Sequence, residues 1–222
     1  MCGRFILITD LSAIVDQFRI GEVACDYKPD DNIAPGRQIA AVVRSEVNRL
    51  VEFRWGLIPA WANDPAIGNR MFNARAETLS EKPSFREAFR QRRCLVVADG
   101  FYEWKRNGRR GKPLRFTLKS GRPFGFAGLY ETWMAPGQGP VHTCTIITTT
   151  PNDLMRPIHD RMPVIVEKGA EEFWMDPGNN SHPKELLAIL KPCPAEEMAV
   201  AEASLPEAKA RDGGSDSCSN LF

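Results

Sequence analysis

Short runs of β-branched and aromatic residues, each closed by a turn signal, set the tightest limit on what this chain folds into. Gln38–Arg44 and Leu50–Trp55 bracket the polar stretch Ser45–Arg49 and predict a hairpin. Cys2–Ile8, Cys94–Ala98, Leu114–Lys119, Phe124–Tyr130, Thr143–Thr149 and Val164–Glu167 read as further strands, joined in part by turns at Asn107-Gly108 and Ser120-Gly121. Helical spacing is confined to short pieces. Leu11, Ile14, Val15 and Phe18 share one face behind a Thr9 or Asp10 cap, and Phe85, Ala88 and Phe89 mark Ser84–Arg92. Ala170–Met175 and Lys184–Leu190 are the other helices. A doubly wound fold needs strands alternating with longer helices, and that rhythm is missing. The pattern predicts a single α+β domain, a curled, mainly antiparallel, barrel-like sheet with several short flanking helices. It is expected to span residues 1–203, with 204–222, rich in Gly, Ser and Asp, as a flexible tail. Asp26–Gly36 reads as loop. Trp55–Met71, punctuated by Gly56, Pro59, Pro65 and Gly68, reads as a long irregular excursion of the kind that is usually either functional or disordered.

With 222 residues, 43% of them hydrophobic, the chain is long enough for a substantial core. Its formal charge of +1 hides an asymmetry: residues 195–222 hold six acids against Lys209 and Arg211, so the remainder is basic at +5. Such a body permits a polyanionic partner without requiring one. Six cysteines show no CxxC pair and no histidine-rich spacing, which removes the usual zinc patterns, and no metal or organic cofactor is expected. Reduced thiols, a cytoplasmic setting and a monomer are the expectations. No apolar run approaches the length of a membrane span.

Candidate chemistry begins at the chain start. Cys2 follows Met1, and a methionine before so small a side chain is normally trimmed. Cys2 would then carry a thiol and a free α-amine on neighbouring carbons. An α-amine has a pKa of ~7.7–8.0 against ~10.4 for lysine, so at neutral pH it is roughly 300-fold richer in free base. Such an aminothiol forms an imine with an aldehyde and closes it intramolecularly to a thiazolidine. An early, buried, structural cysteine gives the same sequence. In Asn73-Ala74-Arg75, the first and third side chains of an extended segment share a face, which suits either a polar ligand or a solvated edge. Glu103, between Tyr102 and Trp104, is placed for a raised pKa and acid–base work, or else is a rim residue beside inward-facing aromatics. Of three histidines, His159 in Ile158-His159-Asp160-Arg161-Met162-Pro163 has ionisable neighbours, whereas His142 and His182 look incidental. Basic residues cluster at Lys105–Lys112 and at Arg86, Arg90, Arg92 and Arg93, and interleaved aromatics offer surfaces for stacking bases.

Taken together, MCGRF at the start, Asn32–Gly36 (NIAPG), Arg54–Trp61 (RWGLIPAW), Asn73–Thr78 (NARAET), Ala98–Trp104 (ADGFYEW) and Ile158–Pro163 (IHDRMP) resemble the SRAP family, the SOS response-associated peptidase-like proteins. The resemblance runs from Met1 to about Leu190. It implies capture of abasic sites in single-stranded DNA through a thiazolidine between Cys2 and the ring-opened deoxyribose aldehyde, with single-strand to double-strand junctions favoured. It also implies roles: Glu103 as general acid/base, His159 in proton transfer, and Asn73 as a hydrogen-bonding hold on the amine or sugar. Arg4, Arg75, Arg161 and Thr148 match phosphate-gripping positions, and Pro35, Trp61 and Trp104 match base-stacking surfaces. Some relatives remove a short leader themselves; here only Met1 precedes Cys2. The stretch Met198–Ser204 departs from the family pattern, so the resemblance does not carry the final strand. Ala62 stands where some relatives have a second Trp. Three other functions share parts of this pattern: an N-terminal-nucleophile amidohydrolase, which also starts Met-Cys-Gly, a non-catalytic reader of single-stranded DNA, and a protease acting in trans.

Overall fold

The computed structural model describes residues 2–104, 112–135, 137 and 139–205. The strands are β1 (Phe5–Leu7), β2 (Ile20–Val23), β3 (Asp30–Ile33), β4 (Gln38–Arg44), β5 (Asn48–Trp55), β6 (Asn73–Arg75) and β7 (Arg93–Ala98). They continue with β8 (Gly100–Glu103), β9 (Leu114–Leu118), β10 (Phe124–Ala135), β11 (Gly139–Thr149), β12 (Met162–Pro163) and β13 (Met198–Glu202). Four short helices flank them: α1 (Leu11–Phe18), α2 (Arg86–Gln91), α3 (Glu171–Met175) and α4 (Pro183–Ile189).

Antiparallel pairing runs β5 to β4 to β7 to β10 to β11. A parallel pairing of β11 back onto β5, Thr143 opposite Arg54 and Cys144 opposite Trp55, closes that ring into a barrel. The barrel lies beside a second, wholly antiparallel sheet of order β13-β9-β8-β1-β3. Every residue of β7 is buried, because this strand sits inside the barrel wall with α2 and α3 against it. That double cover explains its unbroken apolar run. The two sheets meet on aromatic rings: Phe5 of β1 stands edge-on to Trp55 at 5.2 Å and to Phe126 at 6.0 Å. Such contacts add to the burial that drives the packing.

At Asp99 the chain passes from the barrel into the second sheet. The Asp99 carboxylate accepts from the Ile8 and Thr9 amides at 2.6 and 2.9 Å and from the Thr9 hydroxyl at 2.6 Å. This lock holds the end of β1, and through it the start of the chain. Thr9 is therefore engaged elsewhere than at α1. Asp10 does occupy the N-cap of that helix, but its side chain makes no capping bond.

Several expectations need correction. The Asp26–Gly36 segment contains β3, since Phe5 and Leu7 pair with Ile33 and Asp30. Val164–Glu167 is not a strand; β12 is two residues long, followed by one bridge from Ile165 to Phe126. β10 and β11 reach well past the predicted Tyr130 and Thr143, with Trp133 and Ala135 buried and Met134 exposed in alternation. Trp133 packs with Ile58 and Ala62, and its Nε1 donates to the Ala62 carbonyl at 2.7 Å, so this long hairpin anchors the Trp55–Met71 excursion. Gly56, at φ 136°, begins that excursion, and a Cβ there would stand 2.6 Å from the Gly68 carbonyl oxygen. The final strand does form, with Met198–Glu202 pairing along β9. Of the expected tail, residues 206–222 lie outside the described residues, as does the Asn107-Gly108 turn.

Arg93 shows how the helices are held. Its buried guanidinium donates to the carbonyls of Phe89, Arg90, Trp174 and Asp176 and to Asn180 Oδ1, at 2.6–3.0 Å. Burial pulls its pKa down to about 10, still leaving it charged at neutral pH. One cation thus serves carbonyls at the ends of α2 and α3, where backbone acceptors run short of helical donors; that of Asp176 also accepts from the Asn179 amide at 3.2 Å. Arg93→Met removes all of these bonds from a buried position at once and is expected to cost about 3 kcal/mol or more in urea unfolding.

Candidate functional site

The register of the second sheet brings the chain start to the end of β8. Phe5 pairs with Phe101 and Ile6 with Gly100, and the Tyr102 amide donates to the Arg4 carbonyl at 2.9 Å. Running one step further, Cys2 and Gly3 lie alongside Glu103. Cys2 is fully buried, and its thiol donates weakly to the Arg4 carbonyl at 3.8 Å. Asn73, on β6, reaches across from the barrel side and donates from Nδ2 to the Cys2 carbonyl at 2.8 Å. β6 is placed for this by its parallel pairing with β11, which also turns Ala74 inward and leaves Asn73 and Arg75 on the other face. The Asn73 Oδ1 is buried and has no hydrogen-bond partner among the described residues.

Glu103 is itself buried, at 4% exposure, which rules out the rim position. Burial pushes its carboxyl above the ordinary carboxylate range; the positive chain start opposes this, and the charge of Asp160 adds to it. Burial pushes the Cys2 thiol up far more, with the Glu103 charge acting in the same direction. A neutral thiol beside a carboxyl that titrates late is an arrangement in which protons move between neighbours rather than to water.

The segment after β11 carries His159. The Arg161 amide donates to His159 Nδ1 at 3.0 Å, and the Asp160 carboxylate lies 2.9 Å from the same nitrogen. These contacts belong to different protonation states: an unprotonated Nδ1 accepts from Arg161, and a protonated one donates to Asp160. The ring therefore has a partner in either state. The Asp160 charge also acts on Glu103, in the direction that raises its carboxyl.

The other expected residues divide. Trp61 is 59% exposed, and Pro35 and Trp104 are half-buried with surface to spare. Arg75 is exposed, and Arg4 donates to Asn32 Oδ1 at 2.6 Å. Thr148 does not fit a phosphate grip: it is fully buried, and its hydroxyl donates to the Ala74 carbonyl at 3.3 Å. Arg161 is likewise engaged, donating to both oxygens of Glu77 at 2.7 and 2.8 Å and to the Thr148 carbonyl at 2.6 Å. Those bonds hold the Glu77 carboxyl below its ordinary range. The basic cluster near α2 also disperses, since Arg93 is buried and Arg92 pairs with Glu131 at 2.8 Å. Residues 105–111 lie outside the described residues, and Lys112 pairs with Glu202 at 3.3 Å. Asn32 and Glu77 were missed as partners, although NIAPG and NARAET contain them. His142 and His182 lie apart, bonded to Thr132 and Ser181.

Among the described residues no group of acids, cysteines and histidines is placed to hold a metal ion. Cys2, Cys94, Cys144 and Cys193 are free thiols. No described helix is long and apolar enough to cross a membrane.

Residues 1–205 match the family described as SOS response associated peptidase (SRAP). The abasic site processing protein YoqW of Bacillus subtilis is 49% identical over 208 residues, covering 92% of each chain. The abasic site processing protein HMCES of Xenopus tropicalis is 32% identical over 166 residues, 64% of this chain and 49% of that one. A crystal structure of a protein from Bacteroides thetaiotaomicron superposes with a TM-score of 0.83 at 28% identity, covering 90% of this chain and 91% of that one.

Proposed function

The chain belongs to the SRAP family, and from that premise we propose that it processes abasic sites by covalent capture in single-stranded DNA. The observation that supports this most is the burial of Cys2, its carbonyl held by Asn73 and its thiol under the charge of Glu103.

In this reading Met1 is removed, by a methionine-specific peptidase or by the protein itself, and the Cys2 α-amine becomes free. The ring-opened abasic sugar presents an aldehyde at C1′. The amine adds to that carbon, and the resulting hydroxyl leaves as water with a proton from Glu103. The Glu103 carboxylate formed in that step then takes the thiol proton, Sγ adds to C1′ of the iminium, and the C=N π pair returns to nitrogen, which keeps its one hydrogen as the ring N–H. One water is lost overall. This order suits a thiol that burial keeps neutral, because sulfur is not asked to react until a base stands beside it. Asn73 fixes the residue through its carbonyl and offers Oδ1 to the amine or the sugar. His159 relays protons on the side of the sugar's released hydroxyl. Closure removes the aldehyde and imine whose acidity drives β-elimination, so the strand is shielded from breakage.

Arg4 and Arg75 are the phosphate contacts of this reading, and Trp61, Trp104 and Pro35 the surfaces against which bases stack, which favours lesions near single-strand to double-strand junctions. In this reading the protein works in the cytoplasm as a monomer and needs no metal or organic cofactor. Intact mass spectrometry tests the proposal. The free protein is expected to start at Cys2, and an abasic oligonucleotide to convert it to the sum of both masses less one water. A protein that keeps Met1, or that stays unmodified beside the oligonucleotide, contradicts it.

A further inference from the structure

We propose that Glu77 is a positioning residue of the capture site, acting through Arg161 to hold His159 in register with Asn73. This rests on the covalent-capture reading above.

Two segments distant in sequence must meet for the site to form. Asn73 opens β6, and the turn Ala76–Thr78 directly after that strand carries Glu77. Arg161 lies two residues beyond His159, on a segment leading into β12. Between them stands a two-pronged bond: Arg161 Nη1 and Nη2 donate to Glu77 Oε1 and Oε2 at 2.7 and 2.8 Å. Nη2 also donates to the Thr148 carbonyl at 2.6 Å, on β11 where β6 is paired. Arg161 is thus fixed to the same floor as Asn73, and its own amide donates to His159 Nδ1 at 3.0 Å. The planar fork of an arginine on a carboxylate fixes direction as well as distance, which a lysine cannot do.

The exposure of the pair separates positioning from bulk stability. The Glu77 side chain is 47% exposed while that of Arg161 is only 13% exposed. A half-solvated ion pair contributes little to global stability. Its removal nevertheless leaves the guanidinium held by the Thr148 carbonyl without the fork, and so loosens the residue whose amide His159 uses. Proton transfer is sensitive to displacements of about 1 Å, which cost up to about 100-fold.

Single-turnover capture by the full chain, with an abasic single strand at saturation, tests this beside equilibrium binding of a tetrahydrofuran-containing strand that has no aldehyde. Glu77→Ala is expected to lower the saturated rate constant about tenfold, while Kd for the tetrahydrofuran strand stays within about threefold and the melting temperature is held. Glu77→Gln, which keeps one acceptor, is expected to fall between Glu77→Ala and the parent. Arg161→Lys, which keeps charge and loses the fork, is expected to slow capture equally, and it provides the test should Glu77→Ala fail to fold. An unchanged rate constant in these variants, with the parent reacting normally, overturns the positioning role and leaves the capture reading intact. A loss expressed wholly in Kd also overturns it, since that marks the pair as part of a phosphate contact. A parent protein that forms no adduct removes the capture reading and this inference together.

Discussion

Cys2→Ala is expected to abolish the SDS-resistant adduct with abasic single-stranded DNA, a loss of about 100-fold or more in yield. The substitution removes one sulfur and leaves the α-amine, the backbone and the bond from Asn73 to the Cys2 carbonyl in place. An imine still forms, but imines hydrolyse, and nothing remains to close the ring. Borohydride should therefore rescue a trapped product from Cys2→Ala that does not accumulate without it. Cys2→Ser sharpens the comparison, because its hydroxyl adds to an imine far less persistently than sulfur. Noncovalent affinity should be nearly unchanged in both variants, since Cys2 is fully buried and the proposed DNA contacts, Arg4, Arg75, Trp61 and Trp104, are left in place. Gel quantification under denaturing conditions, beside binding to a strand lacking the aldehyde, separates these effects. A Cys2→Ala protein with normal adduct yield contradicts the mechanism.

Glu103→Gln is expected to slow capture by about 100-fold or more, the usual scale for a positioned acid or base. Glutamine keeps the volume and polarity of the side chain but can neither give up nor accept the proton that dehydration and ring closure require. Burial raises the Glu103 carboxyl, so its protonated form persists to higher pH than an exposed glutamate would allow. The α-amine gains its free base as pH rises through ~7.7–8.0. Capture by the parent should then rise with pH as the amine is freed, and decline once the protonated carboxyl becomes scarce. In Glu103→Gln the declining limb should disappear, leaving a slow rate that climbs to a plateau. A stopped reaction series across pH, analysed at saturating DNA, reports both features. A parent-like bell in Glu103→Gln would place the acid elsewhere.

Much of the site was readable because its residues sit in contiguous motifs. Asn73 and Arg75 were expected on one face, and β6 turns Ala74 inward as that alternation demands. The residues around Glu103 fit a buried and a rim position equally, because they identify its aromatic neighbours but not which sheet covers them. Long-range pairing was the hidden part. Nothing local in Asp30–Ile33 or Gly100–Glu103 marks a strand; each is one because β1 lies between them. The closing contact of the barrel, β11 on β5, joins segments about ninety residues apart and leaves no sequence trace. Thr148 and Arg161 show the same limit. A threonine and an arginine at family positions read as phosphate contacts, but burial and the Glu77 carboxylate engage them within the protein. Side chains that face inward, or that are already paired, are distinguishable only once the partner strand is known.

The account stands on the chemical identity of one linkage. Proteolysis of the purified adduct, after treatment with borohydride and iodoacetamide, isolates the peptide joined to the sugar. A thiazolidine predicts a peptide beginning at Cys2, lighter by one water than its components, with no hydride uptake and no alkylated sulfur. A peptide that gains two hydrogens, or whose Cys2 carries the alkyl group, or in which Met1 still leads, would contradict it.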